Sequence, residues 1–144
     1  MQQDNLGKFD FLLGDWHLEY RIPASSFGKA GIDKGEGSFG KILGDKYVAF
    51  EYTTQSGGAA KGIFAWDDHI KMFRYWWFEN SGSFLSATGS FISEGTLALN
   101  WHDSLLVQTF TKQSADCVVL KMQFPAGDGG YELVLEVIFT RKSP

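Results

Sequence analysis

The chain has 144 residues and a formal net charge of −4, with 13 Phe, 5 Trp and 5 Tyr against only 3 Pro. A chain this long can bury about 70% of the surface it exposes when unfolded, so it needs no metal or disulfide to fold. Its basic residues are scattered, with no Lys/Arg run to make a nucleic-acid or anionic-membrane surface. Cys117 is alone, which excludes a disulfide framework and a cysteine metal cluster.

Met1–Lys8 has neither a basic n-region nor an apolar h-region, and no apolar run is long enough to span a bilayer. The expectation is a soluble, cytoplasmic protein without membrane insertion. Leu6, Phe9, Leu12 and Leu13 then fall at helical spacing, which predicts a short helical plug over an apolar opening. From Gly14 the period becomes two: Trp16, Leu18, Tyr20 and Ile22 alternate with Asp15, His17, Glu19 and Arg21 until Pro23 stops the strand. Ala24–Asp33 reads as a long loop, a candidate lid.

The remainder predicts strands at Lys34–Lys41, Tyr47–Thr53, Ala60–Asp67, Ile70–Glu79, Ser83–Phe91, Thr96–His102, Leu105–Lys112, Cys117–Phe124 and Tyr131–Arg141. The intervening segments are short and rich in Gly, Asn, Asp and Ser, so consecutive strands are antiparallel neighbours. Ten such strands with no helix long enough to cover a sheet face predict an all-β, single-domain fold over residues 1–144. The regular meander favours an antiparallel up-and-down barrel with an N-terminal helical plug. The glycines of Gly35–Gly40 read as kinks that let a barrel curve rather than as a nucleotide loop.

Gly14-Asp15-Trp16 behind the apolar plug resembles the G-x-W start of lipocalin-like (calycin) barrels. The FLLGDW start, Gly35–Gly37, Gly44, Trp66-Asp67, Trp77 and the Gly95-Thr-Leu turn together resemble a mainly bacterial family of lipocalin-like domains of unknown function. The resemblance implies a calycin barrel in which an arginine of the last strand, here Arg141, lies over Trp16 and closes the base. It does not extend to the Arg-x-Tyr pair of fatty-acid-binding relatives. Nor does Cys117–Arg141 contain the histidine with which nitrobindin-like barrels hold haem. No cofactor is expected.

A two-residue turn at Asp68-His69 would pair Phe64 with Phe73 and Trp66 with Lys71; alternation adds Tyr75 and Trp77 to that face. A two-residue turn at Ser81-Gly82 would extend it to Phe84, Ser86 and Thr88, whereas a three-residue turn would swap faces. Phe64, Trp66, Phe73, Tyr75, Trp77, Phe84, Ser86 and Thr88 are therefore the candidate ligand-binding residues, and a small, mostly apolar molecule is the candidate ligand. The alternative is an interior simply filled with large side chains.

The opposite face of the Ile70–Glu79 strand carries Arg74, Trp76 and Phe78. Arg74 is either an anchor for an acidic ligand or a solvated charge. Trp76 and Phe78 point to a homodimer or protein-partner surface, or to cover by the Ala24–Asp33 loop. Glu51, the one acidic residue in an apolar strand, or a tyrosine in the same cavity, is the candidate general acid or base for an isomerase- or hydratase-type reaction. His17, His69 and His102 share no metal-ligand spacing, and no metal site is expected.

Overall fold

The computed structural model describes residues 5–24 and 29–143. A 3-10 helix, Asn5–Phe9, leads into ten strands: β1 (Gly14–Ile22), β2 (Gly31–Ile42), β3 (Tyr47–Thr54), β4 (Ala59–Asp67), β5 (Met72–Glu79), β6 (Phe84–Ser93), β7 (Thr96–Trp101), β8 (Val107–Ser114), β9 (Cys117–Pro125) and β10 (Tyr131–Arg141). Each pairs antiparallel with its neighbour in sequence. β10 returns to β1, with Trp16 opposite Arg141, and closes the barrel. This is the up-and-down meander that the turn spacing predicts. Closure leaves no strand edge unpaired.

β2 begins at Gly31 rather than Lys34, so the expected loop is shorter by three residues. The end of β1 and the start of β2, which it joins, lie at the end of the barrel opposite the plug. A lid formed by its centre falls on residues 25–28, outside the described residues.

The inward faces of all ten strands meet in one aromatic core. At the plug end, Phe9 is fully buried with its ring centroid 4.8 Å from Phe64, 5.0 Å from Phe73 and 5.2 Å from Phe91. The plug thus supplies the side chain that fills the lower barrel. Among the described residues no helix is long and apolar enough to cross a membrane.

Two hairpins decide which side chains look inward. The β4–β5 connection is a four-residue loop, Asp68–Lys71, with Lys71 at φ 58° and its N–H donating to the Asp67 carbonyl. Phe64 therefore faces Tyr75, and Trp66 faces Phe73 instead of Lys71. The register differs from the expected one by two residues, so the faces are kept. The β5–β6 connection places Asn80, Ser81 and Gly82 between Glu79 and Ser83, with Gly82 at φ 92°. Phe78 then faces Phe84, and Tyr75 faces Ala87. A slip of one residue inverts β6: Leu85, Ala87 and Gly89 point inward, and Phe84, Ser86 and Thr88 point out.

Candidate functional site

The two ends of the barrel interior differ. The lower end is sealed. Trp16, fully buried, donates from Nε1 to the Leu12 carbonyl at 2.7 Å. Arg141 lies over its ring, Cζ 4.1 Å from the centroid. The guanidinium also donates to the Leu13 carbonyl at 2.7 Å and the Phe11 carbonyl at 3.1 Å. Gly14 has φ 117°, a backbone conformation L side chains rarely adopt, and a Cβ there would also sit 2.8 Å from Nη1, so glycine suits the position two before the tryptophan.

The upper half holds a cavity of about 150 Å³. Phe50, Tyr52 and Trp77 form one stacked wall, with centroids 5.5–6.2 Å apart. Tyr20, Tyr75 and Trp101 add further rings, and Leu85, Leu120, Met122, Leu135, Val137 and Phe139 add aliphatic and aromatic surface. Most polar groups in it are already engaged. Trp101 Nε1 donates to Gln108 Oε1 at 3.2 Å, and Trp77 Nε1 donates to Glu79 Oε2 at 3.0 Å. The Tyr20 and Tyr52 rings lie 5.5 Å apart between centroids, tilted at 42°.

Tyr75 is the exception. Its ring is fully buried and stacked on Phe64 at 3.9 Å, and its hydroxyl has no hydrogen-bond partner among the described residues. That hydroxyl lies over Gly62, where a Cβ would approach it to 2.1 Å. The glycine makes the space the phenol occupies. Burial pushes the Tyr75 phenol well above the ordinary tyrosine range. Burial, reinforced by Tyr52, does the same to Tyr20, and burial followed by the nearby Glu79 charge raises Tyr52. All three are neutral hydrogen-bonding groups at physiological pH.

The predicted set divides three ways. Tyr75 and Trp77 line the cavity. Phe64, Trp66 and Phe73 face inward but belong to the packed lower half around Phe9. Phe84, Ser86 and Thr88 are on the outside: Phe84 is 73% exposed, and Ser86 and Thr88 hydroxyls sit 2.9 Å and 3.4 Å from the His102 ring nitrogens. The one-residue difference at Ser81-Gly82 is the cause.

Glu51 also faces outward, its side chain 60% exposed and 2.9 Å from Lys61 Nζ, so it cannot act as a cavity acid or base. Arg74 lies outside too, donating to Asp67 Oδ2 at 2.7 Å, and its guanidinium holds the Asp67 carboxyl below the usual range. It anchors nothing in the cavity. Sequence reasoning missed Tyr20, Phe50, Tyr52, Trp101 and Gln108 as cavity residues. The alternation Trp16, Leu18, Tyr20 carried the signal for the first of these; the others depend on where distant strands meet.

Among the described residues no group of three or more His, Cys, Asp or Glu is placed to hold a metal ion. His17 is an exposed outward residue 3.9 Å from Glu36.

No family model and no curated relative matches the chain. Solved structures do match in fold. The Rv2717c protein of M. tuberculosis superposes with a TM-score of 0.72 at 14% identity, covering 99% of this chain and 100% of that one. The S-type phycobiliprotein lyase CPES from Guillardia theta superposes with a TM-score of 0.67 at 8% identity, covering 99% of both chains. The fold is a closed, ten-stranded antiparallel barrel of the lipocalin-like kind. Identities this low carry the fold and not an activity.

Proposed function

We propose that the barrel reversibly binds a small, largely apolar molecule in its upper cavity. The observation that carries this is the aromatic-walled cavity of about 150 Å³ left unfilled in the upper half of the barrel. The cavity is of the size that admits a single benzene-sized ring. Such a ring, burying on the order of 150–250 Å², gains roughly 4–6 kcal/mol at about 25 cal/mol per Å², before ordering costs. That implies weak, reversible binding, with Kd about 1 mM or weaker once ordering costs are counted.

An isomerase- or hydratase-type reaction has lost its candidate base with Glu51 outside. The phycobiliprotein lyase neighbour supports use of a barrel of this fold for work on another molecule, without supplying catalytic residues here.

Native mass spectrometry of the purified protein, set against the same sample denatured, tests the proposal. An added small-molecule mass that disappears on denaturation supports it. A ligand-free mass together with no response of tryptophan fluorescence to apolar single-ring compounds would sink it.

A second reading rests on the outer surface of β5 and β6. Phe78 pairs with Phe84 there, 49% and 73% exposed, beside Trp76 at 38%. Apolar side chains grouped this way suit self-association, and a dimer built on them leaves the cavity untouched. Light scattering across a concentration series decides it: a monomer up to the highest concentration removes this reading.

A further inference from the structure

One side chain of the cavity wall holds a donor group that a ligand can reach, and its chemistry narrows the ligand class, an inference that rests on the binding function proposed above. Gln108, the second residue of β8, faces inward between Leu99 of β7 and Met122 of β9 and borders the cavity. It is only 5% exposed. A glutamine amide has an acceptor end and a donor end, and at this burial each of them needs a partner.

Trp101 decides which end meets the cavity. An indole N–H can only donate, so Gln108 must turn its oxygen toward it, and Trp101 Nε1 lies 3.2 Å from Gln108 Oε1. The amide NH2 therefore points away from the indole. Among the described residues Gln108 Nε2 makes no hydrogen bond to the protein. It is not sealed in either. The Tyr75 hydroxyl is the one polar side-chain atom among the described residues that is both unpartnered and shut off from solvent. Gln108 Nε2 keeps its access, and on an inward-facing residue that access is from the barrel interior. Trp101 borders the same cavity at 7% exposure, so water does not compete for the contact that holds the amide.

We infer that Gln108 is the specificity-determining residue of the cavity: its NH2 receives the hydrogen-bond acceptor of an uncharged ligand, and Trp101 is the positioning residue that keeps the donors inward. The ligand class is a small apolar molecule with a carbonyl, ether or nitrile group at its buried end. A plain hydrocarbon that covered Nε2 would strip its donors of water and replace nothing. A carboxylate could also accept from the amide, but no Lys, Arg or His borders the cavity, and a neutral amide does not offset the hydration an anion loses.

The test uses benzonitrile and toluene, two single-ring probes of similar shape of which only benzonitrile has an acceptor. Nitrogen–proton correlation spectra of wild type read the Gln108 side-chain amide directly, its resonance pair being assigned by its absence from Gln108→Met. Benzonitrile should move these protons downfield relative to toluene, as a new hydrogen bond does. In saturation-transfer titrations Gln108→Met should weaken benzonitrile about five- to tenfold relative to toluene. The ratio of the two probes is read because it cancels changes in cavity volume. Gln108→Met strands the Trp101 N–H, so the double variant Gln108→Met/Trp101→Phe, with neither partner left, serves the same comparison if the single variant folds poorly. Trp101→Phe alone frees the amide to turn and should lower the ratio by a smaller factor. An amide pair that answers both probes alike, or a ratio unchanged in the Gln108 variants, would overturn this inference while the binding function stands. Failure of both probes to bind wild type overturns both.

Discussion

Arg141 lies flat over Trp16, 4.1 Å from guanidinium carbon to ring centroid, while the same guanidinium holds the carbonyls of Phe11 and Leu13. One side chain of the last strand thus ties the first strand and the plug together. Arg141→Ala removes the cation–π contact and leaves two carbonyls without their donors. With part of the guanidinium open to water, the expected loss is about 2–4 kcal/mol. Arg141→Lys keeps the charge without the planar fork and should fall between. Urea unfolding measures both. The cavity lies at the other end of the barrel, so probe affinity should be unchanged in whatever fraction remains folded.

Tyr75→Phe should act in the opposite direction. Its hydroxyl is buried without a protein partner, so deleting it removes a desolvated dipole and no observed contact. The ligand-free variant is expected to be more stable by about 1 kcal/mol, a rise of roughly 2–5 °C in Tm for a chain of this length. A loss of stability would mean that the hydroxyl is satisfied inside the folded barrel.

The same residue governs the alkaline limb. Burial raises the Tyr75 phenol, and burial with Tyr52 raises Tyr20. In the unfolded chain a tyrosine ionises near pH ~10, so above that pH the unfolded state sheds protons that the folded state keeps. Stability from these groups is complete below pH ~10 and declines above it, by up to about 1.4 kcal/mol per pH unit for a fully buried phenol. Urea midpoints measured from pH 8 to 11 should fall less steeply in Tyr75→Phe than in wild type.

Gly62→Ala tests the space beneath Tyr75. The new Cβ would lie 2.1 Å from the phenol oxygen and 2.4–2.5 Å from the nearest ring carbons, and a ring stacked on Phe64 cannot swing aside. The expected cost is about 1–3 kcal/mol. Because the ring carbons clash as well, Tyr75→Phe in the same chain should not rescue it. Full rescue would place the conflict on the hydroxyl alone.

Much of the architecture was legible in the residues themselves. The period of two from Trp16, the short glycine- and aspartate-rich turns and the absence of a covering helix are local properties. They led to ten antiparallel strands and closure. The inward face of β4 and β5 survived a wrong turn length, because that error was two residues and side chains alternate with a period of two. β6 did not survive: the left-handed Gly82 turn holds one residue more than expected, and Phe84, Ser86 and Thr88 went outside. Only the tertiary structure decided which part of the interior is filled. Phe9 enters from one end and meets Phe64, Phe73 and Phe91 of β4, β5 and β6, far from it in the chain, while at the other end Tyr20, Tyr52 and Trp77 lie side by side along one wall and leave the space before them unfilled. Alternation along a strand states which face a residue is on. How far a ring reaches across the barrel depends on partners that no local pattern names.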